Sequence, residues 1–171
     1  MRGLSLSVIF VLNAAFGERG SRGNRLQKEV KGMQPQDTPT LYDRLGGIYN
    51  IATVIDDFID RIMHDPRLNA NPRVDEAHHR VAPAGFKYLV TEQLCDASGG
   101  PQKYSGRSMG DSHRHLMITE EEWEAFMDDL QQSLDKFAVP QPEQDEVKAI
   151  VESTKEAIVV EPLQEGPVEV S

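Results

Sequence analysis

The chain is poor in the residues on which several kinds of chemistry depend. It has one cysteine, Cys95, in 171 residues, so no disulfide closes within it and no cysteine pair is available to zinc. Cys95 falls on the apolar side of a helical stretch, where a thiol reads as a small buried hydrophobe. There is no His-Glu-x-x-His, and His113 and His115, two positions apart, leave different faces of any helix. No glycine-rich phosphate cradle precedes a helix, and no nucleophile elbow is present. Ser112 beside His113 is not a dyad, because chain neighbours rarely face each other. Carboxylates are plentiful but fall on solvated helix faces.

Positive charge is also scarce. Lys and Arg number 18 against 28 Asp and Glu, for a formal net charge of −10. Residues 1–40 hold six of the basic and three of the acidic side chains, leaving twelve and twenty-five for the rest. An acidic body with no basic stripe has nothing to exchange for phosphate counterions, which excludes nucleic acid as a partner. The pattern fits a protein that binds something small. The longest apolar run, Leu4 to Leu12, is too short to span a bilayer, so stable membrane insertion is not expected.

What is present begins at the N-terminus with one Arg, that apolar run and Ala15-Phe16-Gly17. This pattern is similar to a short secretory signal, and a disordered extension fits it as well, so both a cytoplasmic and an exported (periplasmic) location stay open. Residues 18–39 are rich in Gly, Arg, Lys, Gln and Pro without apolar periodicity and read as a linker or disordered arm. Order is expected over residues 40–160, followed by an acidic tail at 161–171. Thr40 with Asp43 three positions on makes a capping box, and the short helix it opens stops at Gly46-Gly47. From Ile48 to about His64, Ile48, Ile51, Ile55, Phe58, Ile59 and Ile62 follow helical spacing. Residues 65–83 contain Pro66, Pro72, Pro83 and the pair His78-His79, and read as a long polar connection. A helix over about 84–97 buries Phe86, Leu89, Val90, Leu94 and Ala97, with Lys87, Glu92 and Asp96 in solvent, and ends at Gly99-Gly100-Pro101.

Ser108 to His113 fits a short helical turn that sets Met109 and His113 one above the other. Thr119-Glu120-Glu121-Glu122 is a second capping box. Its helix carries Trp123, Phe126, Leu130, Leu134 and Phe137. A last helix over about 143–158 uses Val147, Ile150, Val151, Thr154 and Ile158. No segment alternates like a strand and no repeat is present. The expectation is an all-α domain.

The order of these features is specific. Leu-Tyr-Asp-Arg-Leu-Gly-Gly (41–47) is followed by Asp57-Phe58, by Gly99-Gly100-Pro101 and by Tyr104-x-Gly106-x-x-Met109-x-x-x-His113. A capped helix with Trp123 then follows. This resembles the group I truncated haemoglobins over about residues 40–160. The resemblance implies a two-over-two helical sandwich around haem b, with His113 as the proximal ligand of the iron. It implies Met109 and Ile118 beside the proximal half of the porphyrin, with Trp123, Phe126 and Leu130 lining its inner side. Arg107, Arg114 or His115 at the rim would pair with the propionates. The function implied is reversible binding of a diatomic gas, O2, NO or CO. The protein is expected to be a monomer or small homo-oligomer, and NO dioxygenation would need an external reductase.

Two departures bear on the distal face. Ile59 stands where the family usually has its distal tyrosine, and Phe86 and Val90 fall at the usual distal-helix glutamine or leucine positions. An apolar distal face forgoes a hydrogen bond to O2 of about 1.5–3 kcal/mol, so fast O2 loss is expected unless Gln93 or a loop histidine supplies the donor. The connection over 69–85 is longer than usual. His78 or His79 within it reads either as a surface residue or as a second iron ligand, and the latter gives a bis-ligated haem protein for electron transfer or redox sensing. A helical interaction module without haem is the third reading.

Overall fold

The computed structural model describes residues 38–160; the expectations for residues 1–37 and 161–171 lie outside them. Helix α1 (Leu41–Arg44) starts at the expected capping box: the Asp43 N–H donates to Thr40 Oγ1 at 3.1 Å and the Thr40 N–H to Asp43 Oδ2 at 3.1 Å. Helix α2 (Gly47–His64) follows directly, Gly46 and Gly47 holding φ of 85° and 77°. Its apolar stripe is enclosed, with Ile51, Ile55, Phe58, Ile59 and Ile62 all buried.

The long connection is not irregular. It contains helices α3 (Pro66–Asn69) and α4 (Pro72–Arg80), and α5 (Pro83–Ala97) begins at its end. The three prolines suggested a loop, yet each stands at the start of a helix, where the missing N–H has no partner to lose and the fixed φ suits the first turn. Asp65 and Asn71 complete two of these starts, their side chains accepting from the backbone N–H of Arg67 at 2.7 Å and of Arg73 at 3.0 Å.

Beyond α5 come α6 (Met109–His113), a 3-10 turn (Arg114–Leu116), α7 (Glu120–Lys136), α8 (Gln141–Glu152) and α9 (Lys155–Ile158). The last helix expected from the sequence is thus two. At the break Ser153 Oγ and Thr154 Oγ1 donate to the carbonyls of Ile150 and Val151, at 2.6 and 2.7 Å, and so compete with the helical ladder. Ala97 and Phe137, expected in the core, are exposed: Phe137 is the C-cap of α7 and Ala97 lies in the last turn of α5.

The described fold is all-α, with a single isolated parallel bridge between Ile118 and Val159. Helix α2 packs on α5 and on α7, and α7 packs on α8, which gives the two-over-two arrangement. Tyr42 ties its beginning to its middle. The Tyr42 N–H donates to the Ser98 carbonyl at 2.9 Å, and its hydroxyl accepts the Ile48 N–H at 3.1 Å. Gly100 lies so close to this ring that a Cβ there would stand 2.5 Å from it and 2.7 Å from the Cys95 carbonyl. The two Gly-Gly pairs of the sequence therefore meet around one tyrosine.

Polar groups also join the layers. Asp57 of α2 accepts from Arg61, from Ser133 Oγ of α7 at 2.9 Å and from Lys136. Burial alone would push its carboxyl up, but the hydrogen bonds from Lys136, Arg61 and Ser133 outweigh this and hold it at about 2. Asp129 of α7 is buried beside Asp65. Burial and that neighbouring carboxyl push Asp129 up to about 6, against the pull of Arg67.

Candidate functional site

The site is built on the non-helical segment 101–108 and the short helix α6. Segment 101–108 folds on itself around Tyr104, whose hydroxyl donates to the Arg107 carbonyl at 2.9 Å. The ring covers Gly106, where a Cβ would lie 2.2 Å from the Tyr104 hydroxyl oxygen. This is the physical reason for Tyr-x-Gly in the motif. Ser108 then caps α6, accepting the Asp111 N–H at 3.1 Å.

At the end of α6, His113 Nδ1 lies 2.9 Å from the Met109 carbonyl. A carbonyl only accepts, so Nδ1 carries the proton and Nε2 keeps its lone pair. His113 is half-buried, and burial pushes its pKa down, opposed by the Met109 carbonyl and aided by His115. The imidazole is thus neutral at physiological pH with one nitrogen available as a ligand. A backbone carbonyl on the other ring nitrogen is what fixes the tautomer of a metal-binding histidine. Among the described residues no group of three or more His, Cys, Asp and Glu side chains gathers to hold a metal ion. A metal taken by His113 would therefore need its other ligands from a carrier of its own, such as a macrocycle.

Apolar side chains stay partly covered both on the His113 segment and on α5. Met109, Leu116, Ile118 and Phe126 are half-buried, as are Phe86, Leu89, Val90 and Leu94 on α5. Trp123 and Leu130 of α7 are buried. Phe126 stacks between Trp123, at 5.3 Å, and Phe58, met edge-on at 5.1 Å. The Trp123 indole N–H donates to Glu152 at 3.1 Å, which turns the polar edge of that ring toward α8. Ile59 is fully enclosed in the core. Gln93 is held by Met109, donating to its sulfur at 3.4 Å.

The two loop histidines part ways. His79 is exposed, its Nδ1 2.8 Å from the Asp75 carbonyl. His78 is half-buried, with Nδ1 2.8 Å from Asn69 Oδ1. Burial pushes the pKa of His78 down; Asp75, His79 and His64 also act on it, while the residues acting on His113 are Met109 and His115. The histidines thus belong to two separate sets. Arg107, Arg114 and His115, close to His113 in the chain, are exposed.

Sequence reasoning left Glu92 and Asp96 in solvent. The structure puts both on the 101–108 segment: Glu92 accepts from Ser105, and Asp96 from the Tyr104 N–H at 3.1 Å. Their spacing, four residues apart on the last turns of the helix before that segment, was the available signal.

Comparison with known proteins places relatives beside this geometry. A family model described as bacterial-like globin matches residues 40–160. The group 1 truncated hemoglobin GlbN of Synechocystis sp. is 32% identical over 116 residues, covering 65% of this chain and 88% of that protein. The crystal structure of the 2/2 hemoglobin from Synechococcus sp. PCC 7002, in the cyanomet state and with covalently attached heme, superposes with a TM-score of 0.59. It shares 26% identity over 70% of this chain and 95% of that one. The truncated hemoglobin of Tetrahymena pyriformis, in its Fe(III) form, gives a TM-score of 0.62 at 20% identity, over 72% and 100% of the two chains. That last likeness speaks to the fold alone.

Proposed function

Since this chain belongs to the bacterial-like globin family, as a group 1 truncated haemoglobin with haem iron as its cofactor, we propose that it binds a diatomic gas reversibly, with His113 as the only protein ligand of the iron. The observation that carries this is the His113 imidazole, neutral, with Nδ1–H committed to the Met109 carbonyl and Nε2 left as a donor. His113 Nε2 would hold the haem iron, and the iron would supply the centre that takes up the gas. Met109, Leu116, Ile118 and Phe126 provide apolar contact on the side of His113, and Phe86 and Val90 of α5 on the other. Arg107, Arg114 and His115 would pair with the propionates.

On the gas-binding face Phe86 and Val90 carry no hydrogen-bond donor, and Ile59 is enclosed in the core. O2, which becomes partly anionic when bound, would then be retained by about 1.5–3 kcal/mol less than with a donor in place, or about 10- to 100-fold more weakly. Weak retention of O2 counts against a storage role. NO dioxygenation remains compatible with these residues, with electrons supplied by a separate reductase.

The test is the visible spectrum of the full chain loaded with haem, beside His113→Gly. The expected ferrous spectrum is five-coordinate and high-spin, lost in His113→Gly and restored by added imidazole. An unchanged spectrum in His113→Gly would overturn the assignment. A six-coordinate low-spin spectrum that became five-coordinate in His78→Ala would replace it with the bis-ligated reading.

A further inference from the structure

Helix α5 presents one face to the segment that leads to His113, and three side chains on that face meet it in order. Asp96 accepts from the Tyr104 N–H at 3.1 Å and from Lys103 Nζ at 2.8 Å. Glu92 takes both donors of Ser105, Oγ at 2.5 Å and N–H at 3.3 Å, while its other oxygen accepts from the Tyr88 hydroxyl. Gln93 donates to Met109 Sδ at 3.4 Å. Met109 is the residue whose carbonyl holds His113 Nδ1. Two links thus reach this segment from α5: Glu92 holds Ser105, and Gln93 holds Met109, whose carbonyl holds the imidazole; between Ser105 and Met109 the connection is the short backbone itself.

Residues 101–108 form no helix and lack a helical ladder to stiffen them. Their shape rests on the Tyr104–Arg107 turn and on acceptors from outside: the carboxylates of Glu92 and Asp96, and the Tyr42 hydroxyl, which accepts from Gln102 Nε2 at 3.4 Å. Carboxylate acceptors make stronger hydrogen bonds than neutral ones. The Ser105 and Tyr88 hydroxyls lower the pKa of Glu92, and the Lys103 ammonium and Tyr104 N–H that of Asp96, so both remain charged at neutral pH.

We propose that Glu92 is a positioning residue for the His113 imidazole, fixing through Ser105 where Nε2 sits. This rests on His113 being the iron ligand. The same helix carries Phe86 and Val90, so α5 sets both faces of the site.

The test uses the full chain in four forms: wild type, Glu92→Ala, Glu92→Gln and Ser105→Ala. With haem bound, resonance Raman reads the iron–His113 stretching band of the ferrous protein, and transfer to apomyoglobin reads the rate of haem loss. Without haem, amide exchange reads protection of the Ser105 N–H. Glu92→Ala and Ser105→Ala are expected to shift and broaden the band alike and to lose haem about threefold faster, a small effect suited to an exposed pair. Glu92→Gln, which keeps one acceptor oxygen, is expected to restore most of the wild-type band. Exchange at Ser105 should quicken in Glu92→Ala. A band of wild-type position and width in both Glu92→Ala and Ser105→Ala would overturn the proposal, as would unchanged exchange at Ser105. Failure of the His113 assignment reads differently: wild type itself would then lack the band, while the exchange measurement would still report on the clamp.

Discussion

Helices α2 and α5 pack against each other, yet their apolar stripes end differently. On α2, Ile51, Ile55, Phe58, Ile59 and Ile62 are each 4% exposed or less. On α5, Phe86, Leu89, Val90 and Leu94 all stay half-exposed, and the residues buried there are Thr91 and Cys95. The α2 stripe is closed by protein: α5 on one side, α7 on the other. On the α5 stripe Phe86, Val90 and Leu94 pack on the core yet stay partly open, Leu94 beside Leu45 and Leu134, while Gln93 of the same helix reaches Met109. Neighbouring apolar side chains that stay partly open suit a ligand groove, and the haem site proposed for this chain would use Phe86 and Val90 there. On the proposed function, the α2 stripe provides stability and the α5 stripe binding.

The closed side should give the largest effect. Ile55→Ala removes buried methylenes from between α5 and α7 and is expected to cost about 2–5 kcal/mol. Chemical unfolding of the apoprotein and of the haem-loaded protein should show losses of similar size, because the contact lies within the protein in both. A loss confined to the haem-loaded form would place Ile55 in the groove.

The polar side of α2 should come next. Asp57 holds Arg61, Ser133 and Lys136, so Asp57→Ala leaves a buried hydroxyl and an ammonium short of their acceptor, at a cost of about 2–3 kcal/mol. Its pH dependence has a definite sign. A carboxyl lowered from 3.8 to about 2 contributes stability that is complete above its ordinary value and lost as pH falls toward the folded value. Thermal unfolding followed from pH 5 to pH 2 should therefore fall more steeply in wild type than in Asp57→Ala. Parallel curves would mean that Asp57 carries no such linkage.

What the sequence made legible was mostly local. The capping boxes at Thr40 and Thr119 join residues three apart, and Met109 with His113 is a one-turn relation, so spacing alone defined them. The two-over-two arrangement and His113 came from the resemblance of the Tyr104–His113 run and both Gly-Gly pairs to a known family, and the fold of that family is what the chain adopts. Polar residues with distant partners stayed hidden. Asp57 reads as a solvated face because its partners Ser133 and Lys136 lie 76 and 79 residues away. Asp129 looks exposed until its place beside Leu130 and Ser133 puts it among buried neighbours and next to Asp65. Pro66, Pro72 and Pro83 misled in another way: a proline interrupts a helix or begins one, and the difference lies in the backbone of the residue before it.

The smallest effect in the apoprotein should come from the groove itself. Val90→Ala shortens a side chain that the protein already leaves half-exposed, so the unfolding free energy of the apoprotein should change by less than about 1 kcal/mol. Loaded with haem, the variant should lose the cofactor about threefold faster, since a flat apolar ligand would cover that side chain and its truncation removes contact area. The two numbers together separate groove from core. Ile55→Ala should lower both stabilities equally, while Val90→Ala should spare the apoprotein and show in haem retention. If Val90→Ala instead cost the apoprotein as much as Ile55→Ala, the α5 stripe would be ordinary core and the site would have to lie elsewhere on α5. If it changed neither quantity, the proximal side alone, Met109, His113 and Ile118, would carry the binding.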